Sequence, residues 1–155
     1  MKRILLLSVL FLGAALGDAM AQCASRGATR VFNIQAALED KFVCAAREGG
    51  NNDKWSEEHG LLSGGGILTE YAKGPLNPVD PRKAVGTWSV AANSTANATV
   101  SYNYGDSGSP YTWSLFFIGT NSYLFCDALG NTVIATANIT PLSTLNPANP
   151  CPLRQ

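Results

Sequence analysis

Six segments between Ile67 and Thr140 alternate apolar and polar residues with a period of two, and that alternation constrains the fold more than any other feature. Successive side chains of a strand point to opposite faces, so alternation marks strands with one buried face. The segments are ILTEYAK (67–73), AVGTWSV (84–90), ATVSYNY (98–104), YTWSLFFI (111–118), SYLFCDA (122–128) and TVIATANIT (132–140). In the third, Val100, Tyr102 and Tyr104 share one face and Thr99, Ser101 and Asn103 the other. In the fourth, Tyr111, Trp113, Leu115 and Phe117 share a side. Turn formers separate the later segments, GTN at 119–121 and LGN at 129–131. Mostly short connections describe an antiparallel meander. A closed up-and-down barrel takes about eight strands. Only six are legible, so the sheet is expected to be curled or a half-barrel.

Upstream the period changes. In TRVFNIQAALEDKFVCAAREGG, Val31, Ile34, Leu38, Phe42 and Ala45 recur at steps of three or four, the apolar stripe of an amphipathic helix. Thr29 or Asn33 can cap its start and Gly49-Gly50 can end it. NNDKWSEEHG reads as a short helical turn, and SGGG at 63–66 as a hinge, since it lacks the lysine and hydroxyl of a phosphate loop. The expected class is therefore α+β, with one amphipathic helix and a helical turn packed on a curled antiparallel sheet of about six strands.

The chain opens MKRILLLSVLFLGAALGDAMAQC, with Lys2 and Arg3 before an uncharged apolar run and Ala19-Met20-Ala21 after it. That order is the pattern of an export leader cleaved after residue 21, leaving 22–155 as a single exported domain. The run is shorter than the roughly 20 residues of a membrane span. Gln22 stands before Cys23 where lipid attachment wants a small residue, so a lipoprotein is disfavoured. From 22 onward, nine Lys and Arg face ten carboxylates. With a net charge near minus one and no basic patch, neither nucleic-acid binding nor membrane-surface attachment after cleavage is expected.

Cys23, Cys44, Cys126 and Cys151 are an even set in an exported chain, which reads as two disulfides. Three pairings are possible. The favoured one is Cys23–Cys151 with Cys44–Cys126, because domain termini often lie close together and the inner two cysteines sit in apolar segments. No C-x-x-C occurs and His59 is the only histidine, so no metal and no cofactor is expected. The last fifteen residues, with four prolines, are expected to run over the surface as a strap held by Cys151.

Candidate sites are sparse. Gly105-Asp106-Ser107-Gly108 matches the nucleophile loop of chymotrypsin-like proteases, and His59, Asp80 and Ser107 follow that family's order. The mature chain is too short for two barrels, and the motif lies between alternating segments where a hairpin loop needs Gly, Asp, Ser and Pro. Ser107 therefore reads as a turn residue. In WSEEHG, Trp55, Glu58 and His59 can share one side of a helical turn, and Glu57 or Glu58 beside His59 suggests acid–base chemistry. A lone histidine at a helix end is the plainer reading. The proline-stiffened connection GPLNPVDPRKAVG (74–86) can present Leu76 and Val79. Tyr71, Trp88, Tyr102, Tyr104, Tyr111, Trp113 and Tyr123 lie on strands, either as a row for sugar rings or peptide or, more ordinarily, as core and cross-strand pairs. The triplets at Asn93, Asn97 and Asn138 match the glycosylation pattern, which chance supplies readily in a chain this rich in Asn, Ser and Thr.

FVC, DKWSEEH, GGGILTEYAKGPLNPVDPRKAVGTWSV and SYLFC, in that order, resemble a family of small exported proteobacterial proteins of unknown function across about residues 40–126. The resemblance rests on Trp55, His59, Asp80, Trp88, Cys44 and Cys126, and implies a periplasmic or secreted setting without an activity. The functional expectation is a non-catalytic exported domain. It would bind an envelope partner or small ligand through Trp55, Glu58, His59, Leu76, Asp80 and Trp88. The alternatives are a serine hydrolase using Ser107 with His59, and a structural envelope protein without a discrete site.

Overall fold

Every strand from the second to the ninth pairs antiparallel with its sequence neighbour, and the last returns to the first of that set. In a computed structural model describing residues 22–49, 53–61, 64–71, 74–79, 82–105, 108–146 and 150–151, these are β2 (Lys41–Arg47), β3 (Lys54–His59), β4 (Gly65–Glu70), β5 (Lys83–Ala91), β6 (Thr99–Asn103), β7 (Tyr111–Gly119), β8 (Ser122–Asp127) and β9 (Val133–Pro141). The β9–β2 pairing, with Val43 opposite Ile139, closes an eight-stranded up-and-down barrel. A short outer strand, β1 (Thr29–Arg30), adds to β7 beyond the reach of β6. The helices are the four-residue α1 (Gln22–Ser25) and the five-residue α2 (Ile34–Leu38). The expected leader, Asp80 and Ser107 all lie outside the described residues.

The expected sheet with a packed amphipathic helix is thus corrected to a closed barrel. All six strands expected from the sequence are present, and the two that complete the ring, β2 and β3, fall in segments whose pattern predicts helix. The supposed helical stripe breaks at Asp40, whose φ of 55° takes the chain out of the helix after Leu38. Beyond it, Val43 and Ala45 face the barrel interior while Phe42 and Cys44 face an outer apolar cluster. A strand buried on both faces is a near-continuous apolar run, and its period of two is invisible. In β3 the period is hidden differently: Trp55, Glu57 and His59 point inward, so two of three inward residues are polar.

The barrel is filled by side chains of unequal size. Ala45, Ala135 and Ala137 on β2 and β9 leave room for Trp88 and Tyr102 on the opposite wall. Ile34 and Leu38 of α2, fully buried, join this core at the end where β2 begins. At Gly86, paired with Leu68, a Cβ would stand 2.2 Å from the Asn103 carbonyl oxygen. Gly86→Ala is therefore expected to cost about 2–3 kcal/mol in urea unfolding. A loss below about 0.5 kcal/mol, the usual size of a neutral surface change, would show that β5 and β6 do not approach so closely.

The disulfides are Cys23–Cys126 and Cys44–Cys151, which corrects the expected pairing. Cys44 lies opposite Asn138 of β9, and Cys126 lies opposite Val133 of the same strand. Two strand spacings across and five residues along put them roughly 20 Å apart, against a Cα limit of about 7 Å for a disulfide. Cys23 and Cys151 are instead each pinned to the barrel's outer wall. Cys23 joins Phe116, Leu124, Cys126 and Val133, and Cys151 joins Phe42, Cys44, Tyr71 and Leu145. Two disulfides suit an oxidising, extracytoplasmic environment. No helix among the described residues is long and apolar enough to cross a membrane.

Candidate functional site: the open mouth of the barrel

With α2 at one end, the other end holds a cavity of about 300 Å³ lined by Arg47, Asp53, Trp55, Glu57, Tyr104, Tyr111 and Trp113. Strand ends deliver these residues. Arg47 closes β2, Asp53 precedes β3, Trp55 lies near the start of β3 and Glu57 at its middle, Tyr104 follows β6, and Tyr111 and Trp113 open β7. Because the β6–β7 hairpin keeps Tyr102 opposite Tyr111, its inward positions place Tyr104, Tyr111 and Trp113 on one face.

The lining forms a ring. Trp55 and Trp113 have centroids 6.4 Å apart, Trp113 and Tyr111 5.9 Å, and Tyr111 and Tyr104 6.2 Å, with planes inclined at 34° to 60°. The Tyr104 hydroxyl donates to Glu57 Oε2 at 3.0 Å, and Glu57 lies two residues from Trp55 on the same face of β3. Four aromatic rings and one carboxyl thus close a circuit around the mouth. At the rim the Arg47 guanidinium donates to the Asp53 carboxylate, so this cation and this anion are engaged with each other.

Glu57 is 4 % exposed. Burial pushes its carboxyl up to about 7, the Tyr104 hydrogen bond pulls the other way, and the charge of Glu70 adds to the rise. Burial, then the neighbouring Glu57 charge, raises the Tyr104 phenol above its ordinary value, so its proton stays in place. The carboxyl can therefore be neutral or ionised near neutrality, and its charge can respond to whatever enters the mouth.

Of the six residues singled out from the sequence, Asp80 lies outside the described residues, and of the other five Trp55 alone borders this cavity. His59 sits deeper, fully buried, with its ring edge-on to Trp88 and Tyr102 at 5.3 and 5.5 Å. Its Nε2 shares a 3.0 Å hydrogen bond with the Tyr102 hydroxyl, and among the described residues its Nδ1 has no partner. Burial lowers its pKa to about 3, so the imidazole is neutral at physiological pH. A histidine sealed in this way presents no exposed ring edge from which to exchange a proton with solvent. Trp88 is core, its indole N–H donating to the Gly60 carbonyl at 3.1 Å. Glu58 faces outward and accepts from the Tyr71 hydroxyl, while Leu76 is half exposed and does not line the mouth.

Sequence reasoning passed over Arg47 and Asp53, and treated Tyr104, Tyr111 and Trp113 as members of a general aromatic row. The signal was present: YNY-GDSGSP-YTW places Tyr102, Tyr104, Tyr111 and Trp113 at alternate positions on both sides of one hairpin. A second recess, beside α2, is lined by Gln35, Glu39, Leu61, Gly64, Val90 and Asn93 and contains no aromatic side chain. Comparison with family models, with curated proteins and with solved structures finds no match to this chain, which leaves the mouth's own chemistry as the ground for a functional reading.

Proposed function

We propose that the chain is a periplasmic or secreted, non-catalytic barrel that holds a small ligand in its open mouth. One observation carries this reading: a cavity of about 300 Å³ with four aromatic walls and a buried carboxyl. Small-molecule sites are concave, mostly apolar and furnished with few polar groups, and span about 300–1,000 Å³. This one stands at the small end, so the ligand is compact. The disulfides favour the extracytoplasmic setting, in keeping with the leader-like first residues and the resemblance to small exported proteobacterial proteins.

Trp55 and Trp113 flank the cavity, so their emission reports its occupancy. Titration with a panel of small organic cations, neutral sugars and aromatic acids is expected to give a saturable fluorescence change for at least one class. Tyr111 is 50 % exposed, so Tyr111→Ala should leave folding intact. It should weaken that binding about tenfold, or about 1.4 kcal/mol. A panel that leaves the emission unchanged, or an unchanged affinity in Tyr111→Ala, would defeat the proposal.

A further inference from the structure

We propose that the mouth takes a compact organic cation, one carrying a quaternary or protonated ammonium group, with Trp55, Tyr104, Tyr111 and Trp113 as its walls and Glu57 as its counter-charge. The inference deepens the reading of the mouth as a ligand pocket and rests on it. A cation is attracted to an aromatic face within about 6 Å of the ring centroid, and most strongly where water is excluded. The neighbouring centroids stand 5.9 to 6.4 Å apart, so one small cation resting against two adjacent rings lies within range of both.

The charged groups disfavour the rivals. An anion would meet Glu57, with Glu70 close enough to raise its pKa, while Arg47 is engaged by Asp53. A neutral sugar needs several converging hydrogen-bonding groups besides a stacking ring. Among the described residues the charged lining is Glu57, already bonded to Tyr104, and the Arg47–Asp53 pair.

Among the described residues, the titratable groups near Glu57 are Tyr102 on β6, Tyr104 just after it, Tyr111 on β7, the mutually paired Arg47 and Asp53, Glu70 on β4, which lies opposite Glu57 and has Lys83 of β5 as its own register partner, and the neutral His59 on the same strand. A cation entering the ring favours the ionised carboxyl, so binding releases the Glu57 proton and strengthens as that proton is lost.

The test uses the full exported chain with choline, tetramethylammonium and 3,3-dimethylbutanol, the neutral carbon isostere of choline. At pH 8 both cations are expected to saturate the tryptophan signal, and the isostere to bind at least about tenfold more weakly. Choline affinity should rise about tenfold from pH 6 to pH 8, as a carboxyl titrating near 7 becomes ionised. Glu57→Gln should lose about tenfold at pH 8 and flatten the profile. Equal binding of the isostere, or unchanged choline binding in Glu57→Gln, overturns the cation while leaving the pocket standing. Saturation by a sugar or an aromatic acid with none by either cation does the same. Silence from every probe overturns the pocket as well.

Discussion

Replacing Cys44 and Cys151 together by alanine is expected to lower the unfolding free energy by about 4 kcal/mol and the melting temperature by roughly 15 °C. The bridge spans a sequence separation of 107, and a loop of about 100 residues restricts the unfolded chain by that order in the chain-entropy account. The folded state changes too. Without the bridge, Cys151 no longer holds its segment against Phe42, Tyr71 and Leu145, and an apolar patch on the outer wall is uncovered. The Cys23→Ala/Cys126→Ala pair should behave alike, through a separation of 103 and the release of α1 from Phe116 and Leu124. Both bridges lie outside the barrel, so ligand binding in the mouth should survive either replacement below the new melting temperature. Urea unfolding of the two double variants measures the loss, and non-reducing peptide mapping checks the pairing. Cleaved peptides joined as Cys23 to Cys151 would sink both predictions.

Glu57→Gln is expected to stabilise the protein by about 3 kcal/mol at pH 8 and hardly at all at pH 4. The carboxyl titrates at 4.5 in the unfolded chain and about 7 in the folded one. Between those values the folded chain retains a proton that the unfolded chain has released, so stability falls as pH rises, by about 1.4 kcal/mol per unit. His59 has the opposite slope. Its ordinary value of 6.5 drops to about 3 on burial, so the unfolded chain takes up a proton that the folded chain refuses, and stability falls as pH drops. From pH 4.5 to 6.5 the two slopes oppose each other, and these groups leave the unmodified protein nearly flat there. Glu57→Gln removes one slope and exposes the other, giving a curve that climbs by about 4 kcal/mol from pH 3 to pH 6.5. The pair His59→Leu with Tyr102→Phe removes both partners of a buried hydrogen bond, a change that can be nearly neutral near pH 7. It should also abolish the acid limb. Urea unfolding across the pH range reads all three curves. A Glu57→Gln curve that tracks the unmodified protein at every pH would show that the carboxyl is not held in its buried, protonated state.

Two of the strands that are visible in the sequence have one wet face. ATVSYNY and TVIATANIT alternate because barrel interior and solvent sit on their two sides, and both were read nearly to the residue. Lys41–Arg47 is apolar on both faces because Val43 and Ala45 join the barrel core while Leu142, Leu145 and Cys151 cover Phe42 and Cys44 on the outside. That cover arrives from more than a hundred residues away through Cys151. No local period can announce it.

The candidate site divides in the same manner. The aromatic residues flanking the 104–111 hairpin were legible as a row on one face. Their meeting with Trp55 and Glu57 was not, because β3 stands across the barrel from β7 and touches it only after closure. His59 attracted attention as a lone titratable group, and closure is what seals it between Trp88 and Tyr102. By itself the sequence determined the antiparallel meander, the even set of cysteines and the near-neutral charge, since each follows from local pattern or composition. Barrel closure, the partner of each cysteine and the ring of rings around Glu57 were decided by the tertiary structure alone. They depend on distances between segments far apart in the chain, which appear only when the ends of the sheet meet.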